Sequence, residues 1–254
     1  MNEPGTGIKE RLRGGEVLVG TFVNLGSALS VEVCCIAGLD WLVIDLEHGG
    51  GHEADLTGQL LAAAAHRTPA LVRVETASRP RVGRALDLGS AGIMFPRIET
   101  VDEAMKAIAH TRYGGDRGVA TYNRAARFGT DPAIIDEADD RVLGVVQVES
   151  PLAVGQAGEI AKVDGVDVLF VGPGDLSHAM GRFGKLDDPE FRDAIRTVVD
   201  SAGAAGKAAG ILVAGPDDVP RAIEDGFRMI GVGSDSTLLM RAARAASSAR
   251  DART

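Results

Sequence analysis

Four short strings in the chain gather groups able to handle protons, oxyanions and hard metal ions. Asp45, Glu47 and His48 fall in VIDLEHGGG, Arg73 in LVRVE, Gln147 and Glu149 in VVQVES, and Asp175 in GPGDLS. Glu149 and Asp175 offer hard oxygen donors, and two carboxylates completed by water and a chelating substrate suit Mg2+, Mn2+ or a similar divalent ion. Either alone could instead form an ion pair, and Asp175 could cap a helix beginning near Leu176. An imidazole ordinarily changes charge near neutral pH, which makes His48 a candidate general base, with Asp45 three residues back in position to orient it. Arg73 could grip a carboxylate through paired N–H groups or stabilise a developing enolate oxygen. An internal salt bridge to Asp45, Glu47 or Glu75 is the alternative. The turn Gly231-Val232-Gly233-Ser234 could present N–H groups to an anion, although glycines also serve tight strand-to-helix turns.

Each of these strings closes a short β-branched run followed by an Ala- or Leu-rich amphipathic stretch. That alternation predicts strands at 17–25, 41–47, 70–75, 92–98, 142–149, 166–172, 210–213 and 228–233. It predicts helices at 28–37, 53–66, 79–88, 101–111, 153–161, 191–205, 217–224 and 237–247. Eight such pairs in 254 residues fit an α/β fold, a closed (β/α)8 TIM barrel forming a single domain over 1–254. An open doubly wound sheet is the alternative, but no dinucleotide fingerprint accompanies it. In a barrel of parallel strands the chemistry sits where strands end. Period-two alternation puts Asp45 and Glu47 on one face, and likewise Gln147 and Glu149. Inward charges of this kind are costly unless paired or bound to a metal.

Other residue types narrow the chemistry. Lys9, Lys106, Lys162, Lys185 and Lys207 all avoid the predicted strand ends, so a Schiff-base route lacks its amine and a metal is left as the electron sink. His52, His66, His110 and His178 read as surface or helix positions. No P-loop, zinc CxxC pair or nucleophile elbow is present. The net charge of −9 argues against a nucleic-acid partner. The adjacent Cys34 and Cys35 are expected as free thiols on the buried side of a helix, in a reducing compartment. Residues 1–12 hold Glu, Lys and Arg with no apolar run, and no stretch of 18 apolar residues occurs, so no signal peptide or membrane span is expected and a cytoplasmic setting follows. The segment 113–132 is too long for a simple connection and carries Arg117, Arg124 and Arg127. It reads as a subunit contact leaving the strand-start face, or as a flap that wraps round to the active site.

The strings WLVIDLEHG, LVRV, ALDLGSAGIMFPRIETVDEA, GDRGV, RAARFG, VVQVES and GVDVLFVGPGDLSHAMG, in that order over residues 20–239, resemble the class II hydroxy-ketoacid aldolases. The type activity of that family is on 4-hydroxy-2-oxoheptanedioate, within the wider aldolase/citrate lyase superfamily. The resemblance implies a (β/α)8 barrel, commonly a hexamer, with a divalent ion (Mg2+, Mn2+ or Co2+) held by Glu149 and Asp175. It implies His48 as the catalytic base, with Asp45 and Asp87 as its associated aspartates, and Arg73 as the enolate-stabilising group. Gln147 and the backbone at Gly174 and Asp175 would line a pyruvate site. The implied reaction is reversible aldol cleavage of a 4-hydroxy-2-oxoacid to pyruvate and an aldehyde, both small molecules. Two departures stand out: Tyr113-Gly114-Gly115 replaces a Tyr-Pro-Pro turn, and Gly49-Gly50-Gly51-His52 gives a more pliable loop after His48. Both are expected near the aldehyde acceptor. Two rival readings are a lyase acting on a CoA thioester and a non-catalytic barrel for binding or assembly.

Overall fold

Strands this rich in Val, Ile and Leu on both faces must be covered on both faces, and the chain achieves this by closing the sheet on itself. A computed structural model describes residues 6–131 and 133–249; the ends of the expected 1–254 domain, residues 1–5 of the N-terminal stretch, and Pro132 of the long segment lie outside the described residues. Helix α1 (Thr6–Arg13) leads into β1 (Leu18–Val23), α2 (Ala28–Ile36), β2 (Trp41–Asp45), α3 (Glu53–Ala65), β3 (Ala70–Arg73), α4 (Arg79–Asp87), β4 (Gly92–Phe95) and α5 (Val101–Ala109). There follow α6 (Ile134–Arg141), β5 (Leu143–Val148), α7 (Pro151–Ala161), β6 (Val168–Val171), α8 (Pro173–Ala179), α9 (Pro189–Ala204), β7 (Ala208–Val213), α10 (Val219–Glu224), β8 (Met229–Ser234) and α11 (Asp235–Ser248). The strands are parallel and form a closed barrel in chain order, β8 returning to β1. This is the expected (β/α)8 barrel. Among the described residues no helix is long and apolar enough to cross a membrane.

Alternation divides the barrel into two cores. Leu42, Ile44, Val72, Phe95, Val146, Leu169 and Ile230 face outward against the helices. Phe22, Trp41, Val43, Leu71, Met94, Val145, Phe170 and Met229 fill the interior. Few aromatics do much of that filling: Trp41 and Phe170 meet edge-on with centroids 6.4 Å apart. They fit because glycine faces them. A Cβ on Gly20 would lie 2.2 Å from the Trp41 ring, and one on Gly210 2.4 Å from the Phe170 ring.

Among the described residues three helices go beyond the expected eight. α1 plugs the strand-start end, where Ile8 and Leu12 join the interior cluster. There the Lys9 ammonium reaches Asp167 at 3.1 Å and donates to the carbonyls of Asp139 and Val142. α6 precedes β5, and α8 is a short helix at the end of β6. Cys34 and Cys35 are free and buried on α2. At the opposite end the helices begin on side-chain caps from the strand-end loops: Ser27 for α2, Thr100 with Glu103 for α5, Ser150 for α7, Ser234 for α11. Those caps aim helix N-termini at the rim where the polar strings converge.

Candidate active site

Asp45 and Arg73 are the last residues of β2 and β3 and are paired directly by strand register. Arg73 Nε and Nη2 donate to the two Asp45 oxygens at 2.9 and 2.7 Å, a bidentate pair. Its Nη1 sits 3.0 Å from Glu47 Oε2. The guanidinium also lies over the Phe22 ring, 5.0 Å from its centroid. Burial alone would lower the pKa of Arg73, and the bond to Asp45 with the charges of Asp45, Glu47 and Glu149 more than reverses it. Arg73 therefore stays a permanent cation. A guanidinium has five N–H groups; two are donated to Asp45 and Nη1 is ion-paired with Glu47, so donors remain for a substrate oxyanion. The internal salt bridge and the substrate role are compatible.

His48 departs from expectation in how it is held. Asp45 does not engage its ring; Asp45 Oδ1 accepts the backbone N–H groups of Glu47 and His48 at 3.1 and 3.2 Å. The imidazole is exposed, and the carboxylate beside it is Glu47, 3.9 Å from Nε2. Glu47 was visible in the sequence as an inward strand-end carboxylate, but its place between Arg73 and His48 was not. Burial raises the Glu47 pKa, with Arg73 and His48 opposing. The glycines after His48 are not slack. Gly50 donates to the Asn24 carbonyl at 2.7 Å, and a Cβ on Gly26 would lie 2.6 Å from the Gly51 Cα, so the β1 and β2 loops are pressed together.

Across the rim, Glu149 follows β5 and is 8% exposed. Its Oε2 accepts the Arg97 N–H at 3.0 Å and its Oε1 accepts from Gln147 Nε2 at 3.0 Å. Arg97 presents that N–H from left-handed backbone, φ 54°. Burial pushes the Glu149 carboxyl up to about 7, with the charges of Asp175 and Glu47 adding to the rise. Gly172 makes room for it, since a Cβ there would lie 2.5 Å from Glu149 Oε1. Glu149 and Asp175 line one cavity of about 390 Å3 together with Arg97, Glu99 and His178. Asp175 and Gly174 fall in the first turn of α8, and a Cβ on Gly174 would meet nothing within 4 Å, so open space adjoins it. His178, read from sequence as a plain helix position, lies on α8 and lines this cavity; its ring packs edge-on to Phe183 at 6.0 Å.

The donor set suits a hard divalent ion. Two carboxylates share a cavity, and the Gln147 Oε1 beside them is buried without a hydrogen-bond partner. Among the described residues no third His, Cys, Asp or Glu completes a closed metal cage, so water and substrate oxygens would supply the remaining positions, as Mg2+ prefers.

Three expected features lie elsewhere. Asp87 ends α4 at the strand-start face and accepts a bond from Arg117 Nη2 at 3.0 Å, so within one chain it does not reach His48. Tyr113, whose ring lies under Arg117 at 4.3 Å, is at that face too. The β8 turn serves structure: Ser234 caps α11, and Asp235 accepts from the Asn24 N–H at 2.9 Å and from Ser30 Oγ at 2.6 Å.

Residues 18–242 match the family model described as HpcH/HpaI aldolase/citrate lyase. Over 229 residues the chain is 39% identical to a 5-keto-4-deoxy-D-glucarate aldolase of Enterobacter sp. (strain 638), covering 89% of this chain and 90% of that protein. Over 247 residues it is 37% identical to a hydroxypyruvate/pyruvate aldolase of Paraburkholderia phytofirmans, covering 94% of this chain and 95% of that one. A crystal structure of an HpcH/HpaI aldolase/citrate lyase family protein from Burkholderia cenocepacia superposes with a TM-score of 0.92 at 39% identity, covering 98% of this chain and 100% of the other. The chain thus belongs to the HpcH/HpaI aldolase/citrate lyase family and is a carbon–carbon lyase of the aldolase class.

Proposed function

We propose that the protein is a metal-dependent aldolase that reversibly cleaves 4-hydroxy-2-oxoacids to pyruvate and an aldehyde. The observation that carries this reading is the shared cavity of Glu149 and Asp175 at the strand-end rim. An ion held by those two carboxylates would supply a Lewis acid for the 2-oxo group of the substrate. Arg73, fixed by Asp45 and Glu47, turns its remaining N–H groups to the oxyanion that develops as the carbon–carbon bond breaks. Gln147 and the open backbone at Gly174 and Asp175 orient the pyruvate portion. His48 takes the proton from the substrate 4-hydroxyl as the carbon–carbon bond breaks and returns one to C3 of the enolate to give pyruvate, with Glu47 beside it to balance the imidazolium. A relative named for 5-keto-4-deoxy-D-glucarate supports a hydroxylated acceptor, and one named for hydroxypyruvate/pyruvate supports a pyruvate donor.

The chain is proposed to work as a homo-oligomer, a hexamer, in the cytoplasm. An exposed apolar stripe on α2, Leu29, Val33 and Ile36, supports assembly. Asp87 takes part in the reaction only if another copy's rim comes to it.

The test is pyruvate release from a hydroxylated 4-hydroxy-2-oxoacid. Treatment with EDTA abolishes release, and Mg2+, Mn2+ or Co2+ restores it; undiminished release from demetallated protein defeats the proposal. His48→Ala slows exchange of the pyruvate methyl protons, followed by NMR, by at least about 100-fold. Turnover of a CoA thioester in place of the oxoacid would favour the lyase alternative.

A further inference from the structure

The loop after β4, residues 96–100, brings to the rim a cation that the proposed reaction leaves unused. Its backbone is pinned on both sides of Ile98, itself 4% exposed. Before it, the Arg97 N–H donates to Glu149 Oε2 at 3.0 Å. After it, the Glu99 and Thr100 N–H groups donate to Glu103 Oε2 at 2.8 and 3.1 Å. Arg97 adopts left-handed backbone, φ 54°, a region that long L side chains enter at a cost. Such a conformation persists where its surroundings over-determine it, and it clusters at sites that hold ligands. The loop is thus a fixed base, and only the Arg97 side chain is left to move.

That side chain is exposed and lines the same cavity as Glu99, Glu149 and Asp175. Among the described residues the guanidinium has no hydrogen-bond or ion-pair partner, so none of those three carboxylates takes it up. It is also the only permanent cation among the described residues lining the cavity. Arg73, from the neighbouring strand, is already engaged by Asp45 and Glu47. The charges at the rim give this a consequence. With a divalent ion neutralising Glu149 and Asp175, the carboxylates of Asp45, Glu47 and Glu99 still outnumber Arg73. A substrate with a second carboxylate, beyond that of the 2-oxoacid, meets a net negative surface unless Arg97 offsets it.

We propose that Arg97 reads the charge of the acceptor: its guanidinium holds a carboxylate on the aldehyde half of the substrate. This rests on the aldolase reading of the cavity and adds the residue that selects among aldehydes. A guanidinium fork pairs both oxygens of a carboxylate, whereas a terminal hydroxyl offers it a single acceptor. Because Arg97 is exposed, the gain falls at the low end for a charged hydrogen bond, about tenfold.

The test follows aldol addition of pyruvate, by the full-length protein with Mn2+, to two aldehydes of one skeleton. One is 2-hydroxy-3-oxopropanoate, ending in a carboxylate; the other is glyceraldehyde, ending in a hydroxymethyl group. The readout is the ratio of kcat/KM for the charged aldehyde to that for the neutral one. Arg97→Asn suits left-handed backbone and keeps the N–H to Glu149. It should lower the ratio by about tenfold, mainly through KM. Arg97→Lys should restore part of it, since an ammonium keeps the charge without the fork. An unmoved ratio overturns the proposal, whether both aldehydes are slowed alike or neither is. Exchange of the pyruvate methyl protons by the unsubstituted enzyme needs no aldehyde and separates the two readings. Exchange with an unmoved ratio rejects the role of Arg97 alone; no exchange rejects the aldolase reading and this proposal with it.

Discussion

Arg73 donates two N–H groups to Asp45 and ion-pairs with Glu47, and under the proposed function that arrangement makes Asp45 a positioning residue. Asp45→Asn removes one charge from the pair and also weakens the anchor under the backbone of Glu47 and His48. The expected result is a fall in kcat of about 10- to 100-fold with a smaller change in KM, the usual cost of losing a group that orients a catalytic one. Steady-state kinetics of the cleavage check it, and an unchanged kcat would show Arg73 to be held by packing alone. Gly172→Ala tests the other half of the site. Its added methyl would overlap Glu149 Oε1, so the carboxylate must swing away. Affinity for Mn2+, measured by titration, should drop by at least about tenfold.

At the scale of elements, α1 and α2 invite separate measurements. The ammonium of Lys9 is 4% exposed and holds Asp167, itself buried, so Lys9→Ala removes the nearer cation from that carboxylate and leaves it only Arg13 at 3.6 Å and the Gly144 N–H. Breaking a buried pair in this way costs about 3 kcal/mol, to be read from the urea midpoint. A loss under about 0.5 kcal/mol would mean that α1 is not a structural plug. On α2 burial, helped by the charge of nearby Asp235, pushes the Cys34 thiol up to about 11. A raised thiol pKa removes thiolate at working pH. Native protein should therefore react with iodoacetamide at Cys34 about 300-fold more slowly than a free cysteine at pH 7. The rate should climb about tenfold per pH unit from 7 to 9, since only the thiolate attacks. Peptide mapping by mass spectrometry reads both.

For the whole molecule, the proposed assembly predicts a sedimenting mass about six times that of the 26.4 kDa chain. Val33→Asp, which places a charge in the exposed α2 stripe, should shift that mass downward; an unaltered mass would place the contact elsewhere. The fold itself was legible in the chain, because strand and helix periods are local and the eight units repeat without a break. The rim placement of Glu149, Asp175, Arg73 and His48 was legible for a related reason: in a parallel barrel every strand end lies on one face, so a polar residue closing an apolar run already has an address. Sequence could not rank contacts between strands. That Glu47, not Asp45, adjoins the His48 ring depends on register and on which oxygens Arg73 takes up. α1 was missed because two apolar residues in eight carry little periodic signal, although they close the barrel end. The place of His178 was hidden because its cavity brings together residues far apart in the chain. The order of apolar runs and polar strand ends determined the barrel and its reactive face. Only packing in three dimensions decided which charges meet, because electrostatic partners are chosen by distance across strands and loops, and distance is not written along a chain.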